Sequence, residues 1–135
     1  MPVRGIRGAI TVHEDQPETI ISATEELIQA IMAANPNLQV KDLASTIFTV
    51  TEDLSAAFPA RAAHDMGWDR VPLMCAREIP VPGSLPRCIR ILIHWNTNLS
   101  QSQIEHIYLK DAASLRPDLV ASSSKDEKSL NNSLT

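Results

Sequence analysis

Only one segment of this chain has the length and periodicity of a long helix, and that limits every architecture open to it. Across residues 15–34, Ile20, Thr24, Leu27, Ile28 and Ile31 recur at three-to-four spacing and make a single apolar stripe. Pro17 suits a first helical turn, Asp15 with Glu18 three residues on resembles a capping arrangement, and Asn35-Pro36-Asn37 ends the segment. The other regular segments read as strands, at 4–12, 45–51, 71–77, 88–95 and 105–109. Short helical pieces are expected at 59–66, where Gly67 stops the helix, and at 100–103 and 111–115. One long helix and about five strands predict an α+β domain with a mixed five-stranded sheet and the helix on one face. The second face must then meet solvent or a partner chain.

The two best-defined strands show what kind of face that is. Successive strand side chains alternate between faces. In 88–95, Ile89, Ile91, Ile93 and Trp95 share an apolar face, whereas Cys88, Arg90, Leu92 and His94 share one that is neither plain core nor plain solvent surface. In 4–12, Arg4, Ile6, Gly8, Ile10 and Val12 lie on one side and Val3, Gly5, Arg7, Ala9 and Thr11 on the other. Arg7 therefore stands between two small residues, and interior glycine in a strand often marks close approach of a ligand or another backbone. A guanidinium in such a clearing either snorkels to water from an edge strand or offers its planar fork to a carboxylate or phosphate. Arg90, in the middle of the strongest strand, keeps its charge and needs a counter-ion. Glu78 within the chain and a ligand anion are the two candidates. The mixed second face fits a sheet buried in an oligomer, with arginines aimed into a pocket between subunits.

Composition narrows the function. The 135 residues suggest one domain, and 44 % hydrophobic residues are enough for a core. A net charge of −4 leaves no global basic footprint for nucleic acid. No apolar run approaches the about eighteen residues of a membrane span, and no charged segment leads into an apolar stretch as in a secretory signal. Cys75 and Cys88 form no metal or redox spacing, so a soluble, cytoplasmic protein is expected. The histidines His13, His64, His94 and His106 make no zinc-like set, and no nucleotide loop or nucleophile elbow is present. No cofactor is called for. From residue 121 the sequence SSSKDEKSLNNSLT (122–135) and its neighbours are polar, and residues 121–135 are expected to be a disordered tail behind a domain of 1–120. Several cations with few acid–base partners suit a dianionic ligand better than hydrolysis.

Six stretches taken together carry a family resemblance: RGIRGAITV (4–12), DLSAAFPARAA (53–63), GWDRVPLMCAREI (67–79), RCIRIL (87–92), IEHIYL (104–109) and LRPDL (115–119). In order and spacing, they resemble the trimeric, monofunctional chorismate mutases of the pseudo-α/β-barrel class, over nearly all of residues 3–119. The resemblance implies a homotrimer with sites at the clefts between subunits. It also implies an isomerase that rearranges chorismate to prephenate in phenylalanine and tyrosine biosynthesis, without cofactor or covalent intermediate.

Carried over by motif, Arg90 would face the ether oxygen of the breaking bond, and Glu78, helped by the Cys75 region, would hold the ring hydroxyl. Arg7 would bind a substrate carboxylate and Tyr108 would contact the side-chain carboxylate. Phe58, Ala60, Leu73, Met74 and Leu115 would shape the walls, Arg61 would stand near the mouth, and Arg116 would belong to a closing C-terminal segment. The family frequently has arginine where this chain has His64, which is only partly charged near neutral pH. Arg61 and Arg70 stand close by in sequence to compensate. A reading from another class uses the same arginines: a non-catalytic trimeric module that binds a small dicarboxylate.

Overall fold

A computed structural model of the protein describes residues 1–115. The expected tail from residue 121 and the candidate Arg116 lie outside the described residues.

The apolar stripe is the buried face of a helix, α1 (Pro17–Ala34), with Ile20, Ala23, Thr24, Leu27, Ile28 and Ile31 inward. Thr24 is tolerated there because its hydroxyl donates to the carbonyl of Ile20 at 2.7 Å. The helix start differs from expectation. Gln16 occupies the N-cap without a side-chain bond, while the Asp15 carboxylate accepts the backbone N–H groups of Ser55 and Ala56, both at 3.0 Å. Asp15 therefore ties down the loop after the second strand rather than capping its own helix. At the other end Asn35, 4 % exposed, donates to Ile31 and Glu105 carbonyls and accepts the Glu105 N–H at 3.0 Å. One side chain thus closes the helix and fixes the entry to the last strand.

Five strands form the sheet: β1 (Val3–Thr11), β2 (Leu43–Val50), β3 (Leu73–Arg77), β4 (Cys88–Asn96) and β5 (Ile107–Leu109), in the order β3-β2-β4-β1-β5. β4 runs antiparallel to both β1 and β2, and the outer pairs β2/β3 and β1/β5 are parallel. The sheet is therefore mixed, as the segment pattern implies. β3 and β5 are shorter than the sequence suggests: Pro72 has no N–H to give a ladder, and His106 uses its ring instead, accepting the Arg7 N–H on Nδ1 at 3.0 Å.

The core lies between α1 and one sheet face, where Ile6, Ile10, Phe48, Ile89, Ile93 and Trp95 are all at most 1 % exposed. A short helix, α2 (Ala60–Asp65), sits beside it, with Ala62 and Ala63 buried. α1 approaches β1 so closely that a Cβ on Gly8 would lie 3.0 Å from Ile31 Cδ1. The second sheet face is only partly covered. A 3₁₀ segment, Lys110–Leu115, folds over one end of it, and Ala112 joins Ala9 and Cys88 in a small buried cluster flanked by Leu85, Tyr108 and Leu115. Elsewhere on that face and at its β3 edge, large apolar side chains stay open, among them Val3 at 52 % and Met74 at 58 % exposed.

Candidate active site

The β1–β4 ladder pairs Ala9 with Arg90 and Arg7 with Leu92. Both arginines therefore rise from the face opposite α1 as diagonal cross-strand neighbours, with Cβ atoms on the order of 7 Å apart. β1 is an interior strand in this sheet, so Arg7 is not the edge-strand arginine its sequence context allows. Gly5 keeps space beside it: an added Cβ would meet only Leu92 Cδ1, at 3.8 Å. Where β5 is too short to reach, the Gln101 side chain completes the pairing of β1, accepting the Gly5 N–H at 2.9 Å and donating to its carbonyl at 2.7 Å.

On the other side of β4, Thr49 of β2 pairs with Arg90. Glu78 follows the end of β3 and is anchored by its N–H to the Val50 carbonyl at 2.9 Å. Its Oε2 lies 3.5 Å from Arg90 Nε and accepts the Thr49 hydroxyl. The internal ion pair that the sequence allows is thus present, yet the Arg90 side chain stays 47 % exposed. A pair this open contributes little to stability, and a ligand anion can compete for the guanidinium. Tyr108, opposite Ala9 in the β1–β5 ladder, shares the face. Arg7, Thr49, Glu78, Arg90 and Tyr108 line one depression of about 180 Å³. A second cavity of about 550 Å³, under the loop 79–86, opens onto the same Glu78 and Arg90.

The start of β4, which sets the height of Arg90, is held firmly. Arg87 has a left-handed backbone, φ 48°. Its N–H donates to both Asp53 carboxylate oxygens, at 3.1 and 3.0 Å, and its Nε donates to the Val12 carbonyl at 3.1 Å. Behind Arg90, burial pushes the Cys88 thiol up to about 11. Cys88 is 1 % exposed and serves as packing, not as a nucleophile.

Not every sequence candidate joins this group. In β3, alternation turns Leu73 and Cys75 toward the core, opposite Thr46 and Phe48, and leaves Met74 on the arginine face opposite Ile47. The side chains of Leu73 and Cys75 therefore do not line the depression. Burial raises the Cys75 thiol, offset in part by the Ala60 N–H, so the sulfur rests against the first turn of α2. Phe58, Ala60 and Arg61 stand at that turn and do not line the depression; Phe58 is 74 % exposed and Arg61 Nε is 3.8 Å from Asp65. Leu115 packs beside Tyr108 at the edge of the small second cluster. Thr49 is a residue the sequence reading passed over: alternation puts it on the face of Ile47, and only the β2–β4 ladder shows this to be the arginine face. Among the described residues no set of three or more His, Cys, Asp or Glu side chains is placed to hold a metal ion, and no helix is long and apolar enough to cross a membrane.

The chain that carries two arginines, a carboxylate and a tyrosine on one sheet face has relatives of known family. Residues 3–119 match the family described as chorismate mutase type I. The chain belongs to that family. It is 59 % identical over 117 residues to chorismate mutase AroH of Thermus thermophilus, spanning 87 % of this chain and 96 % of that protein. It is 41 % identical over 120 residues to chorismate mutase AroH of Bacillus subtilis, spanning 88 % and 94 %. Among solved structures, a chorismate mutase from Clostridium thermocellum superposes with a TM-score of 0.79 at 46 % identity, covering 82 % of this chain and 97 % of the other.

Proposed function

We propose that this type I chorismate mutase converts chorismate to prephenate on the sheet face that carries Arg7 and Arg90, in a cleft completed by a neighbouring copy of the chain. The observation that carries this reading is the diagonal pair of arginines fixed by the β1–β4 register, with Glu78 and Tyr108 on the same depression. Chorismate is a dianion with a ring hydroxyl and an enol ether, and the four side chains match those groups in charge and hydrogen bonding.

The rearrangement is intramolecular and moves no proton, so the protein's work is to hold a compact conformer and to answer the charge that develops as the C–O bond breaks. Arg90 supplies a fixed cation at the ether oxygen, an interaction that strengthens in the transition state. Glu78 accepts the ring hydroxyl. Arg7 and Tyr108 hold carboxylates, and Leu115 closes one side.

A homotrimer with the pseudo-α/β-barrel arrangement accounts for the remaining candidates. A single chain leaves Phe58, Ala60 and Arg61 away from the depression, and leaves Val3, Phe58 and Met74 exposed. A neighbour that brings its 58–61 turn and its β3 edge, with Leu73, Met74 and Cys75, to the Arg7–Arg90 face supplies the missing wall and covers those apolar side chains. The deciding experiment adds purified protein to chorismate and follows the loss of its ultraviolet absorbance, with prephenate identified as product. Tight chorismate binding without turnover would sink the enzymatic reading in favour of a dicarboxylate-binding module. A monomer in sedimentation equilibrium at micromolar concentration would sink the shared cleft.

A further inference from the structure

We infer that Thr49 is a positioning residue for this reaction: it holds one oxygen of Glu78, leaves the other free for the ring hydroxyl, and keeps Arg90 from locking onto the carboxylate. The inference rests on the proposed function and deepens it. Glu78 lies beyond the end of β3, where its main-chain anchor is the single bond to Val50. Its carboxylate is therefore oriented by side chains. Thr49 and Arg90, cross-strand partners in the β2–β4 ladder, both approach Oε2, one as a hydroxyl donor and the other through Nε at 3.5 Å.

Arginine and a carboxylate left to themselves frequently form a two-point fork, two parallel N–H···O bonds. Such a fork would occupy both oxygens of Glu78 and two of the guanidinium's donors. In a closed, water-poor cleft it would also strengthen as the local dielectric falls. The Thr49 hydroxyl competes for Oε2 and holds the carboxylate plane away from that arrangement. Arg90 then meets Glu78 at one nitrogen and keeps the rest of its planar fork for substrate.

The shape of the side chain and its hydroxyl are separable. Thr49→Val keeps the β-branched volume and removes the donor, whereas Thr49→Ser keeps the donor and removes a methyl. We expect Thr49→Val to lower kcat/KM by about 10- to 100-fold, the range of a hydrogen bond to a charged group, with most of the loss in kcat. Thr49→Ser is expected to stay within a few-fold of wild type. In a Glu78→Gln background, Thr49→Val is expected to cost little more, because the two residues act as one unit. Near-normal kcat/KM for Thr49→Val, equal impairment of the Ser and Val variants, or penalties that add in full with Glu78→Gln would each overturn the inference. Wild-type turnover in the same assay separates the two levels: a wild type that leaves chorismate unchanged overturns the assigned reaction, and this role with it.

Discussion

Replacing Gly8 by alanine tests how tightly the site strand is pinned between helix and sheet. The new Cβ would lie 3.0 Å from Ile31 Cδ1, 3.0 Å from Ile91 Cγ2 and 3.1 Å from the Ile107 carbonyl oxygen. The first contact is the end of a flexible side chain and can swing away. The second belongs to a β-branched residue with a stiff χ1. The third is backbone of β5, held by the β1–β5 ladder in which Gly8 faces Ile107. Overpacking of this kind costs about 1–3 kcal/mol, and removing glycine from a strand returns roughly 0.5–1 kcal/mol. The net expectation is a loss of about 1–2 kcal/mol, a fall in melting temperature of roughly 3–8 °C for a domain of this size. Thermal and urea unfolding at one fixed protein concentration measure it, since association shifts apparent stability. Gly5→Ala in the same strand is the control. Its Cβ meets a single atom at 3.8 Å, and stability should hold or rise. A Gly8→Ala protein as stable as wild type, or a Gly5→Ala protein more damaged than it, would refute the packing argument.

Further expectations concern the site and its supports. Arg90→Ala should reduce kcat by at least on the order of 10²–10³, and Arg90→Lys should also lose most activity because the planar fork is lost; initial rates on chorismate report both. If the cleft is shared, mixing Arg90→Ala chains with Arg61→Glu chains, each poorly active alone, should regenerate about a quarter of the sites with both native residues, and mixtures no better than the parent variants would count against sharing. The Asp15 carboxylate is held below 3.8 chiefly by the Ser55 N–H. A depressed folded-state value means its stabilisation is present at neutral pH and fades as pH falls below about 4. Asp15→Asn should therefore lower stability at neutral pH and flatten the acid side of a stability–pH curve, as urea unfolding at a series of pH values would show. Cys88, at 1 % exposure with its thiol near 11, should resist alkylation at pH 8 in the folded protein and react once urea unfolds it; rapid labelling under native conditions would contradict its packing role.

The sequence carried the parts of this molecule that depend on local periodicity. The 3.6-residue stripe gave α1 with its buried residues, and strict alternation assigned Ile89, Ile91, Ile93 and Trp95 to the core and Arg90 to the opposite face. It did less well where a distant group decides. Asp15 has the spacing of a cap, but two N–H groups forty residues away claim its carboxylate. Leu73 and Cys75 sit in a motif with Met74 and Glu78, and a motif carries no face; only pairing with Thr46 and Phe48 shows that they turn inward. Arg7 has the surroundings of an edge residue, and becomes interior only because β5, whose Ile107 is 99 positions after its partner Gly8, returns to lie beside β1. Phe58 and Arg61 stand apart from Arg90 within one chain, since membership of one set of motifs fixes no distance between its members.

The antiparallel ladder between β1 and β4 also binds the enzyme's chemistry to its choice of fold. Strand side chains have a period of two, so sliding one strand by a single residue inverts every side chain it carries. A slip of β1 by one position would swing Arg7 beneath α1, into the space of Ile28 and Ile31, and lift Ile6 and Ile10 into the cleft. A slip of β4 would bury Arg90 in place of Ile89 or Ile91. Either error loses core packing and strands an unpaired cation in the interior at once. Misregistered chains are therefore poor competitors during folding as well as inactive. The same two arginines proposed to bind the substrate thus act, before any substrate arrives, as proofreading marks for the sheet.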